Sequence, residues 1–171
     1  MKRIAFFLMI ILSLIFAGCV DNTKEQQPQK QTGTQSQDPA KGKVKITLYF
    51  ANENADALVP VEREIDKPND MVIALVNELN KPEKYAAVLP QGTELIDYKA
   101  EGDTLILNFN QAFVNLQGST GELITVNSLV NTLTELPQYK SVKLLVEQKP
   151  LETGHAIYDQ PLPRNESVIQ K

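Results

Sequence analysis

The most constraining feature of this sequence is a break at Lys43. The 23 residues before it, Val20 to Gly42, hold six glutamines, no aromatic residue and Val20 as their only large aliphatic. Such a segment cannot bury enough apolar surface to offset the entropy of ordering, so it is expected to be a disordered tether. Any fold must therefore be built from residues 43–171. That is a single-domain length, long enough to bury roughly two-thirds of its unfolded surface without covalent staples.

Residues 1–18 read as a lipoprotein signal peptide. Lys2 and Arg3 form a positive start, and Ile4–Phe16 is a nearly unbroken apolar run of 13 residues. The run falls short of the ~20 residues that cross a bilayer comfortably. Phe16-Ala17-Gly18-Cys19 resembles a bacterial lipobox, although Phe16 stands where an aliphatic residue is usual. The resemblance implies cleavage before Cys19 and acylation of its thiol. Cys19 is the one cysteine of the chain, and lipidation gives it a role outside the cytosol. Buried acyl chains contribute about 0.8 kcal/mol per CH₂. The expected location is the outer face of the cytoplasmic membrane, with residues 19–42 as lipidated cysteine and tether.

Beyond the break, hydrophobic periodicity gives the elements. Val44, Ile46, Leu48 and Phe50 alternate with Lys43, Lys45, Thr47 and Tyr49, the mark of a half-buried strand. Leu58–Asp66 looks extended again, with Pro60 restricting it to an edge strand or an irregular segment. Asn69 or Asp70 caps a helix whose apolar face is Met71, Val72, Leu75, Val76 and Leu79, ended by Lys81-Pro82. Thr93–Ala100 and Thr104–Phe109 flank Glu101-Gly102-Asp103 as a hairpin. In its first arm Leu95 and Ile96 compete for the inner face. A second helix starts near Gly118, with Ser119 and Glu122 spaced as a capping box. Its stripe is Leu123, Val126, Leu129, Val130, Leu133 and Leu136, which leaves Asn127 and Asn131 for the solvent face. Ser141–Gln148 alternates once more, with Val142, Leu144 and Val146 inward. Residues 149–171 hold three prolines and no period. The fold class is α+β in two layers: a small mixed sheet with two helices packed on one face.

Chemistry-bearing residues are sparse. There is one histidine, His155, and no tryptophan. No serine lies in a nucleophile elbow, no glycine-rich phosphate loop is present, and a lone cysteine excludes a Cys-rich zinc site. Asp97, Glu101 and Asp103 near the hairpin turn could be imagined as a hydrolase pair, but they read better as solvating charges. A formal net charge of −4, becoming −6 once Lys2 and Arg3 are removed, argues against nucleic acid, which needs a basic patch. No catalytic, metal or cofactor residue is assigned, and the chain is expected not to be an enzyme. Arg63, and Glu62 and Glu64 on the opposite face of the same extended segment, are the candidate partner contacts.

Several strings, in order, resemble the GerM-type domain of sporulation and spore germination proteins. They are Leu48-Tyr49-Phe50, Leu58–Arg63, Leu75–Pro82, Leu89–Thr93, Leu105–Phe109, Gly118-Ser119, Asn127–Pro137, Val142–Val146 and Pro161–Asn165. Together they span about Val44 to Asn165. The resemblance implies a fold like the ring-building modules of envelope-spanning complexes, found on membrane-tethered proteins of Gram-positive bacteria. It implies no active site. The expected partners are the membrane, through the N-terminal lipid, and another envelope protein or a second copy. The alternatives are a cell-wall hydrolase and a small solute-binding lipoprotein.

Overall fold

The computed structural model describes residues 42–171. Cys19, the signal segment and the tether lie outside the described residues. The elements run β1 (Lys43–Ala51), β2 (Leu58–Asp66), α1 (Met71–Leu79), β3 (Leu95–Glu101), β4 (Thr104–Phe109), α2 (Gly118–Leu133), β5 (Ser141–Val146), β6 (Lys149–Glu152), β7 (Ile157–Tyr158) and β8 (Leu162–Pro163). Short 3-10 turns cover Gln111–Val114 and Glu166–Val168. This is the α+β class expected, with a mixed sheet and two helices. One detail differs: β1 and β2 form their own two-stranded sheet, apart from the mixed one.

In the larger sheet the order is β3-β4-β5-β6-β7. Strands β4 and β5 are parallel, joined by α2 as the crossover that parallel strands require. The other pairings are antiparallel. The far edge of β5 is shared: β6 pairs with Leu145 and Val146, and β8 with Ser141 and Val142. The segment 149–171, which shows no period, thus closes back onto the domain.

Both helices pack against β1, and α2 also meets β5. The core between them holds Leu48, Phe50, Leu105, Leu107, Phe109, Leu129, Leu133 and Leu144, all fully buried. Phe109 stacks on Phe113 with ring centroids 4.4 Å apart, which fixes the turn after β4. Among the described residues no helix is long and apolar enough to cross a membrane.

Local chemistry explains the boundaries. Asp70 caps α1, its carboxylate accepting from the Ile73 N–H at 3.0 Å. The β3–β4 loop needs a left-handed residue, and Gly102 supplies it with φ 62°. The competition between Leu95 and Ile96 is resolved by a bulge. Leu95 pairs with Phe109 and Asp97 with Asn108, so Ile96 is the extra residue, 51% exposed.

The reading of α2 needs three corrections. The helix stops at Leu133 rather than Leu136, and its stripe does not include Leu123, which is 43% exposed. Ser119 and Glu122 form no capping box: no side chain caps this end, and Glu122 is buried. Asn127 and Asn131 are buried too. For Glu122 and Asn131 the cause is shared: the C-terminal segment covers a face of α2 that periodicity assigns to water.

Candidate interaction surfaces

The β1–β2 hairpin carries the residues singled out for contact. Its outward face sets Lys43 against Asp66, Lys45 against Glu64 and Thr47 against Glu62. Lys43 Nζ lies 3.2 Å from Asp66 Oδ1. Opposite charges across a pair stabilise the sheet modestly. Glu62 and Glu64 are exposed, and Glu62 faces a threonine where the others face lysines.

Arg63 points the other way, as alternation requires. Its guanidinium sits 5.0 Å from the Phe50 ring centroid. Nη1 donates to the Glu78 main-chain oxygen at 3.2 Å and to Glu78 Oε2 at 3.1 Å, and Nη2 donates to the Lys81 oxygen at 2.7 Å. The Arg63 and Glu78 side chains are only 9% and 14% exposed. Arg63 therefore binds β2 to the C-terminal end of α1, where a cation suits orphaned carbonyls and the helix dipole. Burial pushes the Glu78 carboxyl up, but hydrogen bonds from Lys81 and Arg63 outweigh it and hold the group below the ordinary carboxylate value.

A second polar network surrounds α2. Ser128 Oγ donates to the Tyr49 carbonyl at 2.6 Å, and Thr132 Oγ1 accepts from the Tyr49 N–H at 3.1 Å. These hydroxyls lie one helical turn apart and satisfy β1 where no strand does. Thr125 Oγ1 donates to the Val88 oxygen at 2.7 Å. Glu122 Oε1 accepts from the Tyr158 hydroxyl at 2.6 Å and Thr153 Oγ1 at 2.9 Å. Burial, then that bond to Glu122, pushes the Tyr158 phenol up. Arg164 donates to Tyr49 and Glu166, lies over the Tyr49 ring and bonds the Asn131 oxygen at 2.9 Å.

The other candidate residues are engaged or scattered. Asp97 accepts from Asn108 and Gln148, at 2.9 and 3.0 Å. Glu101 pairs with Lys99 and Asp103 with Lys140. His155 is exposed in the β6–β7 loop, its N–H on Thr153 Oγ1. Among the described residues no group of three His, Cys, Asp or Glu is placed to hold a metal. A cleft of about 760 Å³ lies between the β1–β2 loop, Lys84–Ala86 and Gln170. Its wall includes Tyr85, stacked on Phe50 at 5.4 Å. Sequence reasoning did not locate it, because the parts of its wall are remote in sequence.

The Germane domain model, described as sporulation and spore germination, matches residues 47–152. The chain belongs to this family. A curated relative, the spore germination protein GerM of Bacillus subtilis, is 34% identical over 115 residues, covering 61% of this chain and 31% of that protein. The solved tandem GerMN domains of the same organism's sporulation protein GerM match with TM-score 0.61 and 31% identity, over 74% of this chain and 46% of that one. The first GerMN domain alone matches with TM-score 0.52 and 21% identity, over 74% of this chain and 98% of that domain. This chain therefore spans about a third of the curated relative and aligns with a single GerMN unit. It carries a GerM-type domain.

Proposed function

We propose that this protein is an exported lipoprotein whose GerM-type domain works by binding another envelope protein, in sporulation or germination, and not by catalysis. The observation that carries this reading is the likeness to the GerMN domains of a sporulation protein, at 31% identity and TM-score 0.61. A second observation supports it. Glu122, Arg63, Glu78, Arg164 and Tyr49 are buried or half-buried, and each has partners within the fold. A catalytic acid or base must present an atom to substrate; these groups are aimed at the protein itself.

Cys19 is the anchor in this reading, and residues 20–42 set the reach. Glu62 and Glu64 remain candidate contacts on the hairpin face, whereas Arg63 acts from beneath it by holding β2 to α1.

The test is in-cell crosslinking of the full chain during growth and sporulation, with partner identification, beside fatty-acid labelling of wild type and Cys19→Ser. The expected result is a crosslinked envelope protein and label lost from the variant. Label retained by Cys19→Ser overturns the anchor. Turnover of purified peptidoglycan by the full chain overturns the non-catalytic reading, and absence of any partner in both states overturns the binding one.

A further inference from the structure

Strand β3 ends the mixed sheet. One edge pairs with β4, and among the described residues no strand pairs with the other. Beside it runs a groove of about 340 Å³ between α1 and residues 93–98. The helix wall is Ile73, Asn77 and Asn80, one face at helical spacing, while Val72, Leu75, Val76 and Leu79 turn to the core.

Several features set this groove apart. Ile73 and Ile96 line it and are 44% and 51% exposed, two of the four large exposed apolar residues among those described. The bulge at Leu95–Asp97 is what turns Ile96 outward. Sheet edges are ordinarily blunted by charge, proline, a bulge or a covering element; here charges lie further along β3, and at the bulge the edge offers an apolar side chain, Ile96. Thr93 also lines the groove. It is only 6% exposed, and its hydroxyl has no hydrogen-bond partner among the described residues. A buried hydroxyl left unpaired is costly, and it marks this wall of the groove as incompletely satisfied. Finally, the charged lining residues are Glu94 and Asp97, with no lysine or arginine among them.

We propose that the α1–β3 groove takes an extended segment of the partner protein, which adds to β3 as a further strand. Main-chain bonds to β3 give affinity, and alternate side chains give specificity. A branched apolar side chain sits between Ile73 and Ile96, and flanking lysine or arginine faces Glu94 and Asp97. This inference rests on the binding reading above and names its surface.

The experiment is hydrogen exchange of the full chain, with and without a capped hexapeptide alternating lysine and valine. The expected result is exchange slowed roughly tenfold across residues 93–98 and unchanged in β5. The matching glutamate–valine peptide gives no protection. Ile96→Ser and Glu94→Lys, both at exposed positions, each weaken the lysine–valine peptide roughly tenfold. No protection at millimolar peptide, equal protection by the acidic peptide, or an unchanged Ile96→Ser overturns the proposal. Protection of 93–98 on concentrating the protein alone also overturns it, since the occupant is then a second copy. Crosslinking in cells separates the two readings. A partner captured equally by wild type and Ile96→Ser removes the groove and leaves the binding function standing.

Discussion

Arg63 shows how one side chain can fix the relation between two elements. Its fork meets a carboxylate and two helix-end carbonyls at once, and its plane covers Phe50. Lysine could supply charge but not that geometry. Removing Arg63 leaves Glu78 with Lys81 alone and strips the main-chain bonds to Glu78 and Lys81, so Arg63→Ala should destabilise the domain by about 2 kcal/mol in urea unfolding. Arg63→Lys should fall between that variant and wild type; a loss under about 0.5 kcal/mol for Arg63→Ala would show the pair to be dispensable. The Asp70–Tyr98 bond, 2.6 Å long, makes a pH prediction. That bond holds the Asp70 carboxyl below its ordinary value and pushes the Tyr98 phenol up to about 12. The depressed carboxyl stabilises the fold above the ordinary carboxylate range, and its contribution disappears as pH falls through the lowered value. The raised phenol stabilises below its ordinary value of 10.0, and its contribution fades as pH rises through about 12. Tyr98→Phe should therefore flatten the dependence of the urea midpoint on pH at both the acid and alkaline ends. Superimposable profiles for variant and wild type would refute the coupling.

At the scale of the element, α2 is where sequence and structure part. The apolar positions Val126, Leu129, Val130 and Leu133 repeat with helical spacing and are all buried, so the core side of the helix is legible. Its polar positions are not. Ser128, Asn131 and Thr132 are fully buried because each completes main-chain bonding of another segment: Tyr49 of β1 or Asn165 near the C-terminus. Periodicity counts such residues as solvent-facing, since it registers polarity and not the presence of a partner. The capping spacing of Ser119 and Glu122 misleads for the same reason. Ser119→Ala should change stability by less than about 0.5 kcal/mol, whereas Glu122→Ala should cost about 2 kcal/mol by orphaning the Tyr158 hydroxyl and removing a bond from Thr153. Equal effects in denaturant titrations would restore the capping box. In the candidate surfaces, the alternation of Glu62, Arg63 and Glu64 is readable from sequence, because period two alone decides facing. The Ile73–Ile96 groove is not, because it needs a bulge and the approach of a helix. The β5–β6 turn is likewise hidden. Glu147 and Gln148 both adopt positive φ, 47° and 67°, without being glycine. The Gln148 N–H is held by Asn108 Oδ1 at 2.8 Å. Two-residue loops of that shape favour Asn-Gly, and nothing in Glu-Gln announces one.

For the molecule as a whole, the C-terminal segment ties together parts that hydrophobic packing alone leaves separate. Strand β8 joins the mixed sheet at β5. Arg164 and Asn165 then cross α2, with Asn131 accepting from the Asn165 N–H and donating to its carbonyl, both at 2.9 Å. Beyond them Ile169 bridges Leu58, and the Gln170 N–H donates to the Leu58 carbonyl at 2.8 Å. One strap of chain thus touches the larger sheet, the central helix and the β1–β2 hairpin in succession. The hairpin belongs to a separate sheet, so its position depends on the helices beneath it and on this strap. Asn131 is the middle fastening and is fully buried. Its side chain is isolated from water, so Asn131→Ala should cost about 2 kcal/mol and loosen the strap on either side. Trypsin can cut after Arg164, but only when that stretch lifts from α2, because a protease needs several residues in extended, accessible form. Under native conditions, release of the fragment 165–171 should be slow for the wild-type chain and roughly thirtyfold faster for Asn131→Ala, following the population of the opened strap. Asn127→Ala is the comparison, since Asn127 bonds only within α2, to the Leu123 carbonyl; it should leave the release rate near wild type. Equal rates for Asn131→Ala and wild type would mean that β8 and the Leu58 contacts hold the strap without the helix.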